Sequence, residues 1–353
     1  MYPDLPLWLS AAFLLGGLAA LAWSSDFFVA GASALAKALG ISPFVIGMVV
    51  IGFGTSAPEL CVSALSGIGG KSNLSLGNAY GSCVFNIAAI LGVAAVIRPI
   101  AVKPLTAFLA GPALAALAGL SLWFLSDGAM SRPEAFVLLA LFAVAMPAYC
   151  WLDQRGGGAS AEADPKSAAA AEPAAPPRAR IGWNVFQLVV GLAVLVGSSH
   201  ILVWGSVDFA KAMGVSDLVV GLTVVAVGTS LPELASAVAS ARRGENEFVL
   251  GNIVGSNLFN TLAVVGLACL ISPAEGFSGY LVSRDLPVMV ALSLMLTLFG
   301  ANWRKVGACG RIGRGIGVAW LCAFAVYTSV MLCQEVALGR ASGNQQTENT
   351  ASN

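Results

Sequence analysis

A polar motif occurs twice in this otherwise apolar chain. Residues 52–92 and 226–266 align without a gap, at a constant offset of 174 residues. Both copies contain a GTSxPEL sequence, at 54–60 and 228–234, followed by a GNxxGSxxFN sequence, at 77–86 and 251–260. A duplicated segment with polar residues in apolar surroundings indicates two equivalent halves that together build a functional site.

Composition shows what surrounds these motifs. Hydrophobic residues make up 58% of the chain and charged residues 10%, and the mean hydropathy is +0.84. Apolar runs such as 6–23 and 103–125 approach or exceed the roughly 20 residues that a helix needs to cross a bilayer. The alternation of a membrane β-barrel is absent, so we expect an integral membrane protein with helical spans. Because the net charge is zero and basic residues form no dense cluster, nucleic acid is not an expected partner.

Apolar windows bounded by Gly, Pro and charged residues predict ten spans. They are 6–34, 43–69, 72–97, 103–126, 133–152, 181–210, 216–241, 246–271, 281–302 and 315–337. The chain then divides into a first five-helix repeat (1–152), a linker (153–180), a second five-helix repeat (181–337) and a polar tail (338–353). The Ala/Pro/Gly-rich linker is typical of flexible segments, and we expect the tail from Ala341 to be disordered.

The number of spans sets the orientation of the two halves. Five spans in each half invert the second half relative to the first, so the predicted fold class is an all-α polytopic membrane protein with two inverted five-helix repeats. Of the 18 basic residues, thirteen fall on one side of the predicted membrane. The positive-inside rule therefore places the linker in the cytoplasm and both termini outside. No basic residue precedes Lys37, so we expect no cleaved signal peptide. We expect the bacterial inner (plasma) membrane.

The GTSxPEL motif predicts a broken helix in the second span. Pro58 cannot donate a backbone hydrogen bond and crowds the carbonyl of Gly54 four residues earlier. Freed carbonyls near Gly54 and Thr55 are tolerated at membrane depth only where they face a cavity. Glu59 follows Thr55 by four residues and shares its helix face. The second copy repeats the arrangement at Gly228, Thr229, Pro232 and Glu233.

The GNxxGSxxFN motif adds amides and hydroxyls to the predicted site. Asn78, Ser82 and Asn86 recur every four residues and share one helix face. Asn252, Ser256 and Asn260 do the same in the second half. Carboxylates, carbonyls, hydroxyls and amides suit hard cations such as Ca²⁺ or Na⁺. That face carries no histidine or cysteine, which disfavours zinc or copper.

Simpler explanations exist for some of these residues. The glycines at 77, 81, 251 and 255 have a spacing that favours close helix packing over ion contact. Ser56 and Ser230 either bond back to their own helices or bind an ion. The seven cysteines are scattered and are interpreted as buried thiols. For Glu59 and Glu233 a purely structural role is disfavoured, since buried glutamates without a basic partner are hard to hold ionised without a cation.

These paired motifs resemble the alpha repeats of the sodium/calcium exchanger family, within the cation/calcium antiporter superfamily, over about residues 10–335. The resemblance implies ten helices, with the first and sixth long and tilted beside a core of the second, third, seventh and eighth. It implies that Glu59 and Glu233 are central calcium ligands, joined by the carbonyls of Thr55 and Thr229. It also implies neighbouring sodium sites completed by Ser56, Ser82, Asn86, Ser230, Ser256 and Asn260.

Two features depart from relatives of this kind. The potassium-dependent branch carries aspartate where this chain has Asn86 and Asn260, so the resemblance argues against potassium cotransport. Cys83 stands where the second repeat has Asn257 in its GSN sequence, which leaves the role of that position open.

The predicted function is secondary antiport of Ca²⁺ against Na⁺ by alternating access, with export of Ca²⁺. A Ca²⁺/H⁺ antiporter is the alternative, because protons could occupy the same glutamates, and a cation channel is disfavoured by the inverted repeat. An enzyme is not expected, since packing or hydrogen bonding explains the single histidine, His200. We expect no cofactor apart from the transported ions and no partner apart from Ca²⁺, Na⁺ and the bilayer, with protein partners left open.

Overall fold

Helices form almost all of the chain that the structure, a computed structural model, describes: residues 7–70, 72–155, 181–212, 226–277, 279–305 and 307–351. By length and composition, eight helices in these ranges can cross a membrane, and a bent helix pair provides a ninth span. The first half contains span 1 (Leu7–Leu39), span 2 (Pro43–Thr55 and Ala57–Ile68), span 3 (Ser72–Ile97), span 4 (Thr106–Asp127) and span 5 (Arg132–Arg155). The second half contains span 6 (Ile181–Ala212), span 8 (Asn246–Ile271), span 9 (Leu281–Gly300) and span 10 (Arg314–Ala351).

The seventh predicted span, 216–241, lies partly outside the described residues. Its described part, span 7, comprises Ala226–Gly228 and Leu231–Arg243. The linker from 156 to 180 also lies outside them. Spans 3 and 8 begin and end where the apolar windows predict, because Gly, Pro and charged residues bound both windows.

The expected disorder of the tail is wrong. The helix that begins at Arg314 continues through the polar residues to Ala351. Extending an existing helix adds a hydrogen bond for each residue fixed and needs no new nucleus. The change from apolar to polar residues therefore indicates where span 10 leaves the membrane. It does not indicate where the helix ends.

Spans 1 and 6 show the inversion of the two halves directly. A Cβ placed on Gly17 would lie 2.8 Å from the backbone of Leu202, and one on Gly191 would lie 2.7 Å from the backbone of Phe28. Gly191 and Leu202 are the repeat equivalents of Gly17 and Phe28, each 174 residues further on. Residue 17 thus meets the equivalent of residue 28, and residue 28 meets the equivalent of residue 17. This exchange requires two antiparallel helices related by a two-fold axis.

The same symmetry recurs at the ends of spans 3 and 8. The guanidinium of Arg314 donates to the carbonyls of Val96 (3.1 Å) and Ile97 (3.4 Å) at the end of span 3. At the end of span 8 the guanidinium of Arg132 donates to the equivalent carbonyls of Leu270 and Ile271, at 3.2 and 3.3 Å. The last carbonyls of a helix lack hydrogen-bond partners within the helix and carry partial negative charge. A guanidinium supplies both the missing donors and a compensating positive charge.

Two short antiparallel ribbons lie beside these caps, and the sequence patterns did not predict them. Strand β1 (Ile100–Val102) follows span 3 and pairs with β4 (Gly310–Ile312), just before span 10. Strand β2 (Ala129–Met130) precedes span 5 and pairs with β3 (Ala274–Glu275), just after span 8. Each ribbon therefore fastens the end of a central span to the start of a peripheral span from the other half.

Spans 3 and 8 occupy the centre of the bundle. They are 78% and 89% buried, against 11–44% for the other unbroken spans. Span 8 approaches span 2 closely, because a Cβ on Gly251 or Gly255 would collide with the main-chain oxygen of Phe44 or Met48. The interpretation as packing residues is confirmed for Gly251 and Gly255, whereas a Cβ on Gly77 or Gly81 would meet no described atom within 4 Å. The chain is an all-α polytopic membrane protein built from two inverted repeats, whose motifs meet at the bundle centre.

Candidate ion-binding site

Both GTSxPEL motifs break their helices, as predicted. In span 2 the two helical pieces diverge by 46° at Ser56, whose backbone leaves the helical region with φ −86° and ψ 4°. Ser230 takes φ −96° and ψ 10° at the equivalent position in span 7. In each case proline is the second residue of the following helix, where its missing N–H costs nothing. The serine hydroxyl and the following glutamate thus lie at the start of a new helix in the bundle centre.

The two glutamates are buried without a positive counter-charge. Glu59 is 0% exposed and Glu233 is 2% exposed. Neither forms an ion pair within the described part of the chain, and three of their four carboxylate oxygens accept no hydrogen bond there. Burying an unpaired carboxylate is strongly unfavourable. A cation bound between the starts of the two helices would remove this cost, because its charge would be balanced by both carboxylates.

The serines of the two breaks bond across the repeat boundary. The Ser56 hydroxyl of span 2 donates to Glu233 Oε1 of span 7 at 2.9 Å. The Ser230 hydroxyl of span 7 lies 3.1 Å from Ser82 Oγ of span 3. Neither contact is the back-bonding to the same helix that was the alternative for these serines. Both serines hold residues of the opposite half in place.

The threonines contact the asparagines of the second motif. Thr55 Oγ1 lies 3.0 Å from the carbonyl oxygen of Ile51 and 3.4 Å from Asn252 Oδ1. Thr229 Oγ1 lies 3.4 Å from Asn78 Oδ1, the equivalent pair in the other direction. The broken helix of each half is therefore linked to the central span of the other.

Asn252 connects more of the site than any residue of the predicted set, although it was not included there. Its amide nitrogen donates to the carbonyl of Glu233 at 3.2 Å and to Ser236 Oγ at 3.0 Å. Its oxygen lies 3.5 Å from Ser256 Oγ as well as near Thr55. The repeated GN of the motif was the available signal. It placed Asn252 on the correct helix face, but periodicity cannot tell a residue that orients a ligand from the ligand itself.

Asn86 and Asn260 lie one helical turn beyond the serines of spans 3 and 8. Asn86 Nδ2 donates to Asn257 Oδ1 at 3.0 Å, whereas neither polar atom of Asn260 has a hydrogen-bond partner among the described residues. Both asparagines start or occupy π-helical stretches, Asn86–Ile90 and Phe259–Val264, which often occur at functional sites. The first stretch packs on Leu231–Arg243 of span 7, and the second packs on Ala57–Ile68 of span 2.

The predicted set is thus brought to one region, with one exception in burial. Nine of its ten residues are buried, and Thr229 is partly exposed. The donors are carboxylate, hydroxyl and amide oxygens, and the described residues contain no cluster of three or more His, Cys, Asp or Glu side chains. Such a set of oxygen donors suits a hard cation.

Known proteins resemble this chain over nearly its whole length. A family model described as "Sodium/calcium exchanger protein" matches residues 9–149 and 183–333. A relative from Alkalimonas amylolytica, "Putative antiporter CaxA", is 38% identical over 315 residues, covering 89% of this chain and 96% of the relative. "Inner membrane protein YrbG" of Escherichia coli is 34% identical, covering 92% and 97%.

Two further comparisons bear on the same family. "Sodium/calcium exchanger MaX1" of Methanosarcina acetivorans is 32% identical over 320 residues, covering 81% of this chain and 89% of the relative. A solved structure of the sodium-calcium exchanger NCX_Mj, soaked with 2.5 mM Na⁺ and 10 mM Sr²⁺, superposes with a TM-score of 0.76 at 30% identity. That match covers 92% of this chain and 99% of NCX_Mj.

Proposed function

The chain belongs to the sodium/calcium exchanger family, and from this premise we propose that it exchanges Ca²⁺ for Na⁺ by alternating access and exports Ca²⁺. The observation that carries the proposal is the pair Glu59 and Glu233, buried without a positive partner and contributed by opposite halves. Two carboxylates neutralise one Ca²⁺ or share Na⁺ ions. Occupation by one ion species therefore opposes occupation by the other, which is what obligatory exchange requires.

The inverted repeat supports transport by alternating access. Transporters of this architecture hold their substrate near the middle of the membrane, between the repeats and at interrupted helices. Here the interrupted helices are spans 2 and 7, and Ser56 of one reaches Glu233 of the other. A motion of one half relative to the other would open the site to alternate sides. The family is one of transporters, so no enzymatic activity or cofactor is proposed.

The ligand roles proposed for the ten predicted residues follow their chemistry. Glu59 and Glu233, with the carbonyls of Thr55 and Thr229, would hold Ca²⁺. The hydroxyls of residues 56, 82, 230 and 256 and the amide oxygens of residues 86 and 260 would complete the Na⁺ positions. Hydroxyl and amide oxygens carry no net charge and suit a monovalent ion once the carboxylates supply the charge.

Sodium coupling without potassium is proposed because the site contains two acidic residues and two neutral amides. Protons are the competing counter-ion, since both oxygens of Glu59 lack a partner in the described residues and would accept protons in the absence of a cation. The membrane orientation proposed from basic residues places the linker in the cytoplasm and both termini outside. An inner-membrane location accords with the description of the relative YrbG.

Radiolabelled Ca²⁺ uptake into proteoliposomes tests the proposal. Vesicles that contain the purified protein are loaded with Na⁺, and Ca²⁺ uptake is started by dilution into Na⁺-free medium. Parallel vesicles carry a K⁺ gradient or a pH gradient instead. We expect uptake only with the Na⁺ gradient. Uptake driven by a pH gradient without Na⁺ would identify proton coupling, and single-channel currents in place of saturable flux would identify a channel.

A further inference from the structure

The two halves of the site differ at one pair of equivalent positions. Asn257 of span 8 is the repeat equivalent of Cys83 of span 3, 174 residues earlier. Asn257 accepts the hydrogen bond that Asn86 Nδ2 donates, at 3.0 Å. By symmetry Asn260, the equivalent of Asn86, would donate to residue 83, where this chain has a thiol.

The thiol does not replace the missing amide. Cys83 Sγ is directed to the carbonyl oxygen of Asn257 (3.8 Å) and to Thr261 Oγ1 (3.6 Å). Sulfur is only a weak acceptor. Asn260 is fully buried, and neither its oxygen nor its nitrogen has a hydrogen-bond partner among the described residues. A buried amide left in this condition is unusual and calls for an explanation.

The hydrogen bond fixes which atom Asn86 offers to an ion. With Nδ2 committed to Asn257, Asn86 Oδ1 is its remaining polar atom and accepts no hydrogen bond among the described residues. The oxygen is therefore oriented before any cation arrives. Among the described residues nothing comparable holds Asn260, so that side chain must be ordered at the moment of binding. Immobilising one such side chain costs roughly 0.5–1.5 kcal/mol.

We propose that Asn257 is a positioning residue that holds the Asn86 amide ready for an ion, and that Cys83 leaves the Asn260 amide free to reorient. This inference rests on the proposed function. Ca²⁺ takes most of its charge compensation from Glu59 and Glu233, whereas Na⁺ depends more on neutral oxygens. The identity of residues 83 and 257 therefore sets Na⁺ affinity more than Ca²⁺ affinity.

An exchange of the two residues tests the proposal. In Cys83→Asn both amides are held, so the Na⁺ concentration for half-maximal exchange falls by about 2- to 12-fold, the range that corresponds to the ordering cost above. In Asn257→Cys neither amide is held, and that concentration rises by a similar factor. The double variant moves the hydrogen bond from Asn86 to Asn260 and is expected to return near the wild-type value.

The pattern separates positioning from simple packing. If the two residues only fill space, the double variant combines two packing defects and is the most impaired of the three, which would overturn the proposal. Maximal rate and the half-saturating Ca²⁺ concentration are measured on the same vesicles, and we expect each to change less than the Na⁺ value. Cys83→Ala removes the thiol without supplying an amide, so its Na⁺ dependence should match wild type. An equal effect of alanine and asparagine would also overturn the proposal.

Two further measurements keep the test decisive. Elution profile and thermal midpoint of each purified variant report folding. Should Cys83→Asn fail to fold, Cys83→Ser supplies a smaller acceptor, and the Na⁺ requirement should fall in the same direction. Wild-type protein that shows no Na⁺-driven Ca²⁺ flux would reject the proposed function itself. Wild-type exchange with an unchanged Na⁺ dependence in the variants would reject only the positioning role.

Discussion

The Ser56 hydroxyl, at the break of the second span, donates a 2.9 Å hydrogen bond to the Glu233 carboxylate, at the break of the seventh. The two residues are 177 positions apart and belong to opposite, inverted halves. The contact joins the two interrupted helices at the point where the site is built. The hydroxyl of Ser230, the repeat equivalent of Ser56, lies 3.1 Å from Ser82 Oγ of span 3.

Replacement of either central glutamate should nearly abolish exchange. Glu59→Gln and Glu233→Gln keep the shape of the side chain but remove one of the two charges proposed to neutralise Ca²⁺. Losing one member of a buried charged set costs about 3–5 kcal/mol, so Ca²⁺ flux should fall by more than about 100-fold. Flux assays in proteoliposomes measure this, with Glu275→Gln at an exposed glutamate as the matched control. Normal flux in both central variants would refute the site assignment.

Removal of the Ser56 hydroxyl should weaken exchange to a smaller degree. The Ser56 hydroxyl is a proposed Na⁺ ligand, and a hydroxyl contact to a charged group contributes about 1.5–3 kcal/mol, so Ser56→Ala should raise the half-saturating Na⁺ concentration by about 10-fold or more. Ser63→Ala is the control, because Ser63 is buried on the same helix and its hydroxyl has no partner in the described residues. Equal effects of the two alanines would mean that the loss arises from packing.

A methyl group at Gly255 should destabilise the protein. A Cβ there would collide with the main-chain oxygen of Met48, and backbone cannot turn aside as a flexible side chain does. Overpacking of this kind costs about 1–3 kcal/mol, so Gly255→Ala should lower the thermal midpoint in detergent. Gly119→Ala, where an added Cβ meets no atom of the described residues within 4 Å, should not lower it. A stable Gly255→Ala protein would contradict the close approach of spans 2 and 8.

Glu245, in the turn before span 8, should make stability depend on pH. Burial raises the pKa of its carboxyl above the ordinary value, although the Ser33 hydroxyl and the charges of Arg243 and Lys37 act in the opposite direction. A carboxyl with a raised pKa binds protons more readily in the folded state. Its contribution therefore favours folding below the ordinary carboxyl pKa and is lost as pH rises through the raised pKa.

Glu245→Gln tests this dependence. In the wild-type protein the Ser33 hydroxyl donates to Glu245 Oε1 at 2.8 Å. Glutamine does not ionise but still offers an oxygen to this hydroxyl. The thermal midpoint of the variant should decline less than that of wild type as pH rises from about 4. The control Glu275→Gln, at an exposed position, should keep the wild-type decline. Parallel curves for wild type and Glu245→Gln would exclude Glu245 as the cause.

Labelling of introduced cysteines should establish the orientation. In a background without the seven native cysteines, a cysteine replacing Ser160 in the linker should react with an impermeant reagent only from the cytoplasmic side. A cysteine replacing Ser342 in the tail should react only from outside. The opposite labelling pattern would show that the proposed membrane orientation is wrong.

Local sequence patterns determined much of this protein. Apolar run lengths located the spans, and the windows 72–97 and 246–271 match spans 3 and 8. Pro58 and Pro232 located both helix breaks, because proline blocks a backbone hydrogen bond wherever the chain folds. The four-residue spacing of Asn78, Ser82 and Asn86 put them on one face, because helix geometry fixes that spacing. Each of these conclusions depends on interactions within a few residues of the chain.

Only the tertiary structure decided which polar groups meet. Ser56 reaches Glu233, Asn252 links Thr55 to the Glu233 carbonyl, and Asn257 rather than Cys83 holds an amide of the site. These contacts join residues of opposite halves or of different spans, and most are more than 100 positions apart. Their geometry depends on how closely the central helices cross, which is set by glycine contacts such as Gly255 against Met48. A periodicity along one helix carries no information on the height and rotation of its neighbour. The sequence therefore identified the candidate site residues, and only the packing decided which of them meet.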